Sequence, residues 1–130
     1  MASIRKEIEV RRSKEFVWDA IRDVGQIHKR LVPGFVVDCK LESDSRYLTF
    51  ANGMTIREII VSIDDHSCRH SWSARGGAFT HHNASIQVFP VNEFACKLVW
   101  IADLRPHELA DTVGDMIQQG LNTMKATLES

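Results

Sequence analysis

The apolar residues of this chain change period twice. Between Ser13 and Val24 they recur at helical spacing, from Phe35 to Leu104 they recur every second residue, and from Leu109 onward they return to helical spacing. A chain that carries its strands in one uninterrupted block cannot build a parallel sheet, which needs a crossover between each pair of strands. A helical bundle is excluded for the same reason. What remains is an antiparallel meander flanked by helices. The length of 130 residues suits one domain, 1–130, with a core that needs no disulfide or metal to hold it.

The first strand is expected over residues 3–11. Ile4, Ile8 and Val10 share one face and Arg5, Glu7 and Glu9 the other. Lys6 falls on the apolar face, either as a strand-end exception or as a polar group facing a cavity. Ser13 then reads as a helix N-cap, with Glu15 in the first turn where the helix dipole favours an anion. Phe16, Val17, Ala20, Ile21 and Val24 follow at helical spacing, Gly25 ends this helix, and a short second helix covers 26–31 before Pro33-Gly34. From Phe35 the meander begins: Phe35, Val37, Cys39 and Leu41 alternate with their neighbours. Further strands are expected at about 45–51, 54–63, 68–75, 80–89 and 93–104. Turns fall at Asn52-Gly53, a two-residue hairpin signal, at Asp64-Asp65, at Gly76-Gly77 and over 90–92.

After Pro106 one long stripe appears: Leu109, Val113, Met116, Ile117, Leu121, Met124 and Leu128. It predicts a helix of about 22 residues and about 33 Å. Gly114 and Gly120 lie inside it, each costing about 1 kcal/mol relative to alanine. Gly120 sits close to the stripe, so its missing side chain allows a close approach, either by the sheet or by a ligand. A bent antiparallel sheet exposes one apolar face that needs cover, and this helix is the one element long enough to supply it. A curved sheet and a straight rod do not mate along their whole length, so a cavity between them is expected.

Composition removes several functions. Sixteen Lys and Arg against seventeen Asp and Glu give a net charge of −1, which leaves no broad electrostatic footprint for nucleic acid or an anionic membrane. Leu98 to Ala102 is the longest apolar run, far too short for a membrane span, and charges at Arg5, Lys6 and Glu7 stand where a signal peptide would be apolar. A cytoplasmic protein with no nucleic-acid partner and no membrane insertion is expected. Cys39, Cys68 and Cys96 are an odd number without close spacing, so they read as reduced, mostly buried thiols.

These residues and their order resemble the helix-grip superfamily often called SRPBCC, which includes START lipid-transfer domains, birch-pollen-allergen-like proteins, abscisic acid receptors and polyketide cyclase/dehydrase-like proteins. The resemblance covers the whole chain. Ser13-Lys-Glu-Phe-Val-Trp-Asp-Ala-Ile-Arg-Asp-Val24 resembles the opening helix. Leu31-Val-Pro-Gly34 resembles a Trp-x-Pro-Gly turn in which leucine replaces tryptophan. Asn52-Gly53 with Thr55-Ile-Arg-Glu-Ile59 resembles a hairpin and its Glu-Arg-Leu strand, with Ile59 where arginine is frequent. Trp100 is similar to the aromatic of the last strand, and Ala110-Asp-Thr-Val113 to the final helix. The small bacterial polyketide cyclase/dehydrase-like proteins are nearest in length and pattern. The resemblance implies an α+β helix-grip fold: a seven-stranded curved antiparallel sheet around a long C-terminal helix, with two short helices after strand one.

Glu58 shares a strand face with Ile56 and Ile60. If that face looks toward the long helix, a carboxylate sits in the cavity without a basic partner in sequence reach. If Ile59, Val61 and Ile63 point inward instead, Glu58 is solvated. In the abscisic acid receptors the matching glutamate faces the ligand through water, so the resemblance implies an inward Glu58. Cys68, His70, Trp72 and Ala74 form the buried set of their strand, which makes His70 a cavity histidine expected near Glu58. It is either half of a proton-moving pair or a neutral core histidine. Tyr47, with Thr49 and Ala51, would place a hydroxyl in the cavity. His81 and His82 point to opposite strand faces, so they do not ligate one ion, and no metal or cofactor is expected. His28, His66 and His107 read as surface residues.

Three functions compete. The first is binding of a small apolar, lipid-like or polyketide-like ligand, with Glu58, His70, Tyr47 and Ile60 beside walls of Trp72, Trp100, Leu109, Val113 and Ile117. The second is a cyclase or dehydratase using Glu58 with His70 or Tyr47. The third is a protein-interaction module whose cavity is filled by side chains. A monomer or homodimer suits all three.

Overall fold

A computed structural model describes all 130 residues. Seven strands form one antiparallel sheet: β1 (Ala2–Val10), β2 (Val36–Glu42), β3 (Ser45–Phe50), β4 (Thr55–Asp64), β5 (Arg69–Arg75), β6 (His81–Asn92) and β7 (Ala95–Arg105). Their spatial order is β1-β7-β6-β5-β4-β3-β2, so β2 to β7 run as a meander and β1 closes the far side against β7. Between β1 and β2 lie α1 (Lys14–Arg22), a 3-10 turn over Val24–Gln26 and α2 (Ile27–Arg30). The chain ends in a 3-10 turn over His107–Leu109 followed by α3 (Ala110–Glu129). This is the antiparallel meander with a covering helix expected from the periods, and the α+β helix-grip fold that the resemblance implies. No helix is long and apolar enough to cross a membrane.

Local chemistry accounts for the boundaries. Ser13 Oγ accepts the Phe16 N–H at 3.1 Å and starts α1. The helix stops at Arg22 rather than at Gly25, since Asp23 leaves helical geometry with φ −82° and ψ 67°; Trp18 Nε1 and Arg22 Nε donate to Asp65 Oδ1 in the β4–β5 turn at 2.9 and 2.8 Å. Asn52-Gly53 sits in a four-residue connection and not a two-residue one, since Phe50 N–H pairs with the Met54 carbonyl at 2.8 Å and Gly53 takes a φ of 87°. The turn expected over 90–92 is strand: β6 continues to Asn92, and a bulge between Pro90 and Asn92 accommodates the proline.

Inward residues alternate along each strand and align across the sheet. Glu58 pairs with Arg46 on one side and Ala74 on the other, while Trp72 pairs with Ala84 and Ile86 with Trp100. In β2 the alternation breaks. A bulge between Val36 and Asp38 buries Val36 and leaves Val37 and Leu41 exposed. α3 lies against β1 and β7. The missing Cβ of Gly120 makes room for Trp100, whose ring would stand 3.1 Å from that atom, so the close approach belongs to the sheet. Lys6 does face α3. Its stem runs beside Gly114, where the edge of the sheet lets the ammonium reach water, and it does not border the cavity.

Candidate functional site

Mostly under the first half of α3, and reaching Met124 in the second, the sheet and helix part, leaving a cavity of about 120 Å³. An engineered apolar cavity of about 150 Å³ holds a benzene ring, which sets the scale at roughly one ring. Of its 23 lining residues 18 are hydrophobic, and the polar side chains are Arg46, Glu58, His70 and His82. Phe35, Phe50 and Met116 line both this cavity and an outer groove, whose walls also include the Pro33-Gly34 loop, the β3–β4 hairpin and Gln119 and Thr123 of α3.

Arg46 is 3% exposed. Its Nε and Nη2 both reach Glu58 Oε1 at 2.8 Å, and Nη1 donates to the Val24 carbonyl at 3.1 Å. A buried guanidinium needs such partners, because an unpaired one is strongly destabilising. The 3-10 turn at Val24 thus serves as a backbone acceptor for the site. Its carbonyl also takes the Cys39 thiol at 3.6 Å, and burial pushes that thiol's pKa up. The Arg46 guanidinium lies 6.0 Å from the centre of the Trp72 ring.

His70 is 2% exposed and stacks on Trp72 with ring centres 5.0 Å apart. Its Nε2 is buried without a protein partner. Burial first, and the Arg46 charge second, lower its pKa to about 3, so the ring is neutral at pH 7. His82 lies against Phe79 at 4.9 Å, and its Nδ1 accepts the Ala74 N–H at 2.9 Å. Burial, with the charges of His81 and Arg75 behind it, lowers this imidazole to about 4. Ser73 Oγ donates to the His82 carbonyl and Arg75 Nη1 donates to Ser73 Oγ, which ties β5 to β6 beside the site.

The residues singled out from sequence divide. Glu58, His70, Trp72, Trp100, Val113 and Ile117 line the cavity. Tyr47, Ile60 and Leu109 do not. Tyr47 sits on the outer face of β3, 39% exposed, because the inward residues there are Arg46, Leu48 and Phe50. Ile60 lies next to a bulge between Ile60 and Ser62, where the β4–β5 register shifts. Leu109 lies in the 3-10 turn before α3 and packs on the core instead. His70 and Glu58 are not opposite one another: Glu58 faces Ala74, and His70 faces Ile63 and Ile86. Nor does Glu58 lack a basic partner. Arg46 was missed, although it shares a face with Leu48 and Phe50, and that alternation was the available signal. His28 is half-buried with its Nδ1 unpartnered, so it is not a plain surface residue. No group of three or more His, Cys, Asp or Glu is placed to hold a metal ion.

The family model described as "Polyketide cyclase / dehydrase and lipid transport" matches residues 1–129. No curated protein matches the chain. Among solved structures, an uncharacterised protein from Bacillus thuringiensis superposes with a TM-score of 0.91 at 20% identity, covering 99% of this chain and 100% of the other. The di-domain ARO/CYC BexL of the BE-7585A biosynthetic pathway superposes at 0.86 with 16% identity, covering 99% of this chain and 47% of BexL. Norcoclaurine synthase from Thalictrum flavum gives 0.75 at 18% identity, with 98% and 91% covered. At these identities the likeness is one of fold.

Proposed function

The chain belongs to the polyketide cyclase/dehydrase and lipid transport family, and on that premise we propose that it binds a small, largely apolar molecule in the cavity between the sheet and α3. The observation that carries this reading is the Arg46–Glu58 pair, set in a mostly apolar cavity. A buried ion pair contributes little net stability compared with well-packed hydrophobic residues, so its place in this cavity suits recognition of a ligand's polar end. Trp72, Trp100, Val113 and Ile117 supply the apolar walls. We extend the proposal to a cytoplasmic protein that binds without a cofactor, as a monomer or homodimer.

A cyclase or dehydratase is the second reading. The neutral imidazoles of His70 and His82 support it, as groups able to take or give a proton beside the ligand. Glu58 remains its candidate carboxylate, and Tyr47 drops out because it faces away. A cavity filled by side chains, as an interaction module would need, fits poorly with 120 Å³ of open space.

Native mass spectrometry of freshly purified protein tests the binding reading, together with NMR titration of the Trp72 and Trp100 indole signals with toluene. Binding predicts a co-purified mass or a saturable shift of both indoles. No adduct and no shift at saturating toluene would overturn it.

A further inference from the structure

Resting on that reading, we propose that the ligand's polar group is uncharged, a hydroxyl on a single ring, and that Glu58 is the residue that shuts carboxylates out. Arg46 is the one cationic side chain lining the cavity. Three of its five N–H groups are taken: Nε and Nη2 each donate to Glu58 Oε1, and Nη1 donates to the Val24 carbonyl. The pair therefore presents no net positive charge to a guest. What it does present is an acceptor: Glu58 Oε2 makes no hydrogen bond to the protein. An O–H group can donate to that oxygen. A carboxylate would stand beside it as a second anion in a poorly solvated space, where like charges repel far more strongly than in water.

The rest of the polar lining points the same way. His70 Nε2 is buried without a partner in a residue 2% exposed, so the site holds an unused imidazole nitrogen. His82 accepts the Ala74 N–H at Nδ1, which places its own proton on Nε2. Both rings are neutral and suit a neutral hydroxyl, which gives one hydrogen bond and accepts others. The volume of about 120 Å³ limits the guest to about one ring in this state.

The experiment compares toluene, p-cresol and p-toluate, which share a ring and a methyl group and differ in the polar end, by calorimetric or NMR titration at pH 7. The wild-type protein is expected to bind p-cresol at least tenfold more tightly than p-toluate. Glu58→Gln keeps a hydrogen-bond acceptor for Arg46 but removes the negative charge, so p-toluate should gain at least tenfold and p-cresol should not gain. Wild-type protein that binds p-toluate as tightly as p-cresol overturns the proposal, with no variant required. A folded Glu58→Gln protein that keeps the wild-type preference overturns the role of Glu58. If toluene binds and the charge preference is absent, this inference alone fails. If none of the three binds, the cavity reading fails and takes this one with it.

Discussion

The two halves of α3 are built to different ends. Past Gly120, Leu121 and Leu128 are buried in the main core, and the backbone is clamped from outside. Arg12 Nε donates to the Leu128 carbonyl at 2.7 Å, Lys125 Nζ to the Glu9 carbonyl at 2.7 Å, and the Arg11 N–H to Glu129 Oε2 at 2.8 Å. A cation at a helix C-terminus also answers the helix dipole. Arg11 and Arg12 therefore fasten the end of β1 to the end of α3. Before Gly120, Val113 and Met116 are half-buried over open space, and the sheet beneath them carries two imidazoles and an ion pair. Tight packing and external clamps stabilise one half. They allow the other half to hold space and desolvated polar groups that stabilise nothing by themselves.

Acid should separate the halves most. Unfolded imidazoles take protons near 6.5, while His70 and His82 resist until about 3 and about 4. The unfolded state thus binds more protons in that window. Stability is flat above about pH 6.5 and falls as the pH drops, by about 1.4 kcal/mol per pH unit for each imidazole. Glu129, held at about 2 by Lys125 and the Arg11 N–H, loses its contribution only below the usual glutamate range, about 4.3. Urea midpoints from pH 8 to 4.5 should fall below 6.5, and His70→Gln should reduce that slope. A midpoint unchanged between pH 6.5 and 5 would show that the cavity half is not the acid-sensitive one.

Truncation gives the next largest contrast. Leu121→Ala removes a fully buried side chain and should cost about 2–5 kcal/mol. Val113→Ala only enlarges an existing cavity and should cost about 1 kcal/mol. Equal shifts in urea midpoint would erase the distinction between the halves.

The smallest effect is expected at the joint. Gly120→Ala adds helix propensity worth about 1 kcal/mol, offset by a methyl 3.1 Å from Trp100. Trp100 borders open space and can yield toward the cavity, so stability should stay within about 0.5 kcal/mol of wild type. The displaced ring takes up cavity volume, so p-cresol affinity should fall. Unchanged affinity would show that Trp100 does not shape the pocket.

Much of this was readable in one dimension. The double change of period specifies the meander and its covering helix, because pleat and helix place side chains at spacings of 2 and 3.6 wherever one face is buried. The Ser13 cap, the Gly120 contact and the inward set of β5 follow from the same local rules. Misreadings cluster where a strand carries an extra residue. The bulges in β2, β4 and β6 reset the alternation, and a one-residue slip sends every following side chain to the other face. Tyr47 and Arg46 show a second kind of error. An aromatic hydroxyl is a more familiar pocket group than an arginine, yet the apolar Leu48 and Phe50 beside Arg46 decided the face.

The sequence by itself determined the order of elements and the covered face, since these depend on neighbours along the chain; alternation left the direction of Glu58 open, and only the family resemblance implied that it points inward. The tertiary structure decided which cation meets Glu58, that the Val24 carbonyl completes the pair and that His70 stands four residues along β5 from Ala74, the residue opposite Glu58. Each of those is a contact between segments whose separation along the chain carries no periodic signal, so it is set only when the sheet register and the 3-10 turn are brought together in space.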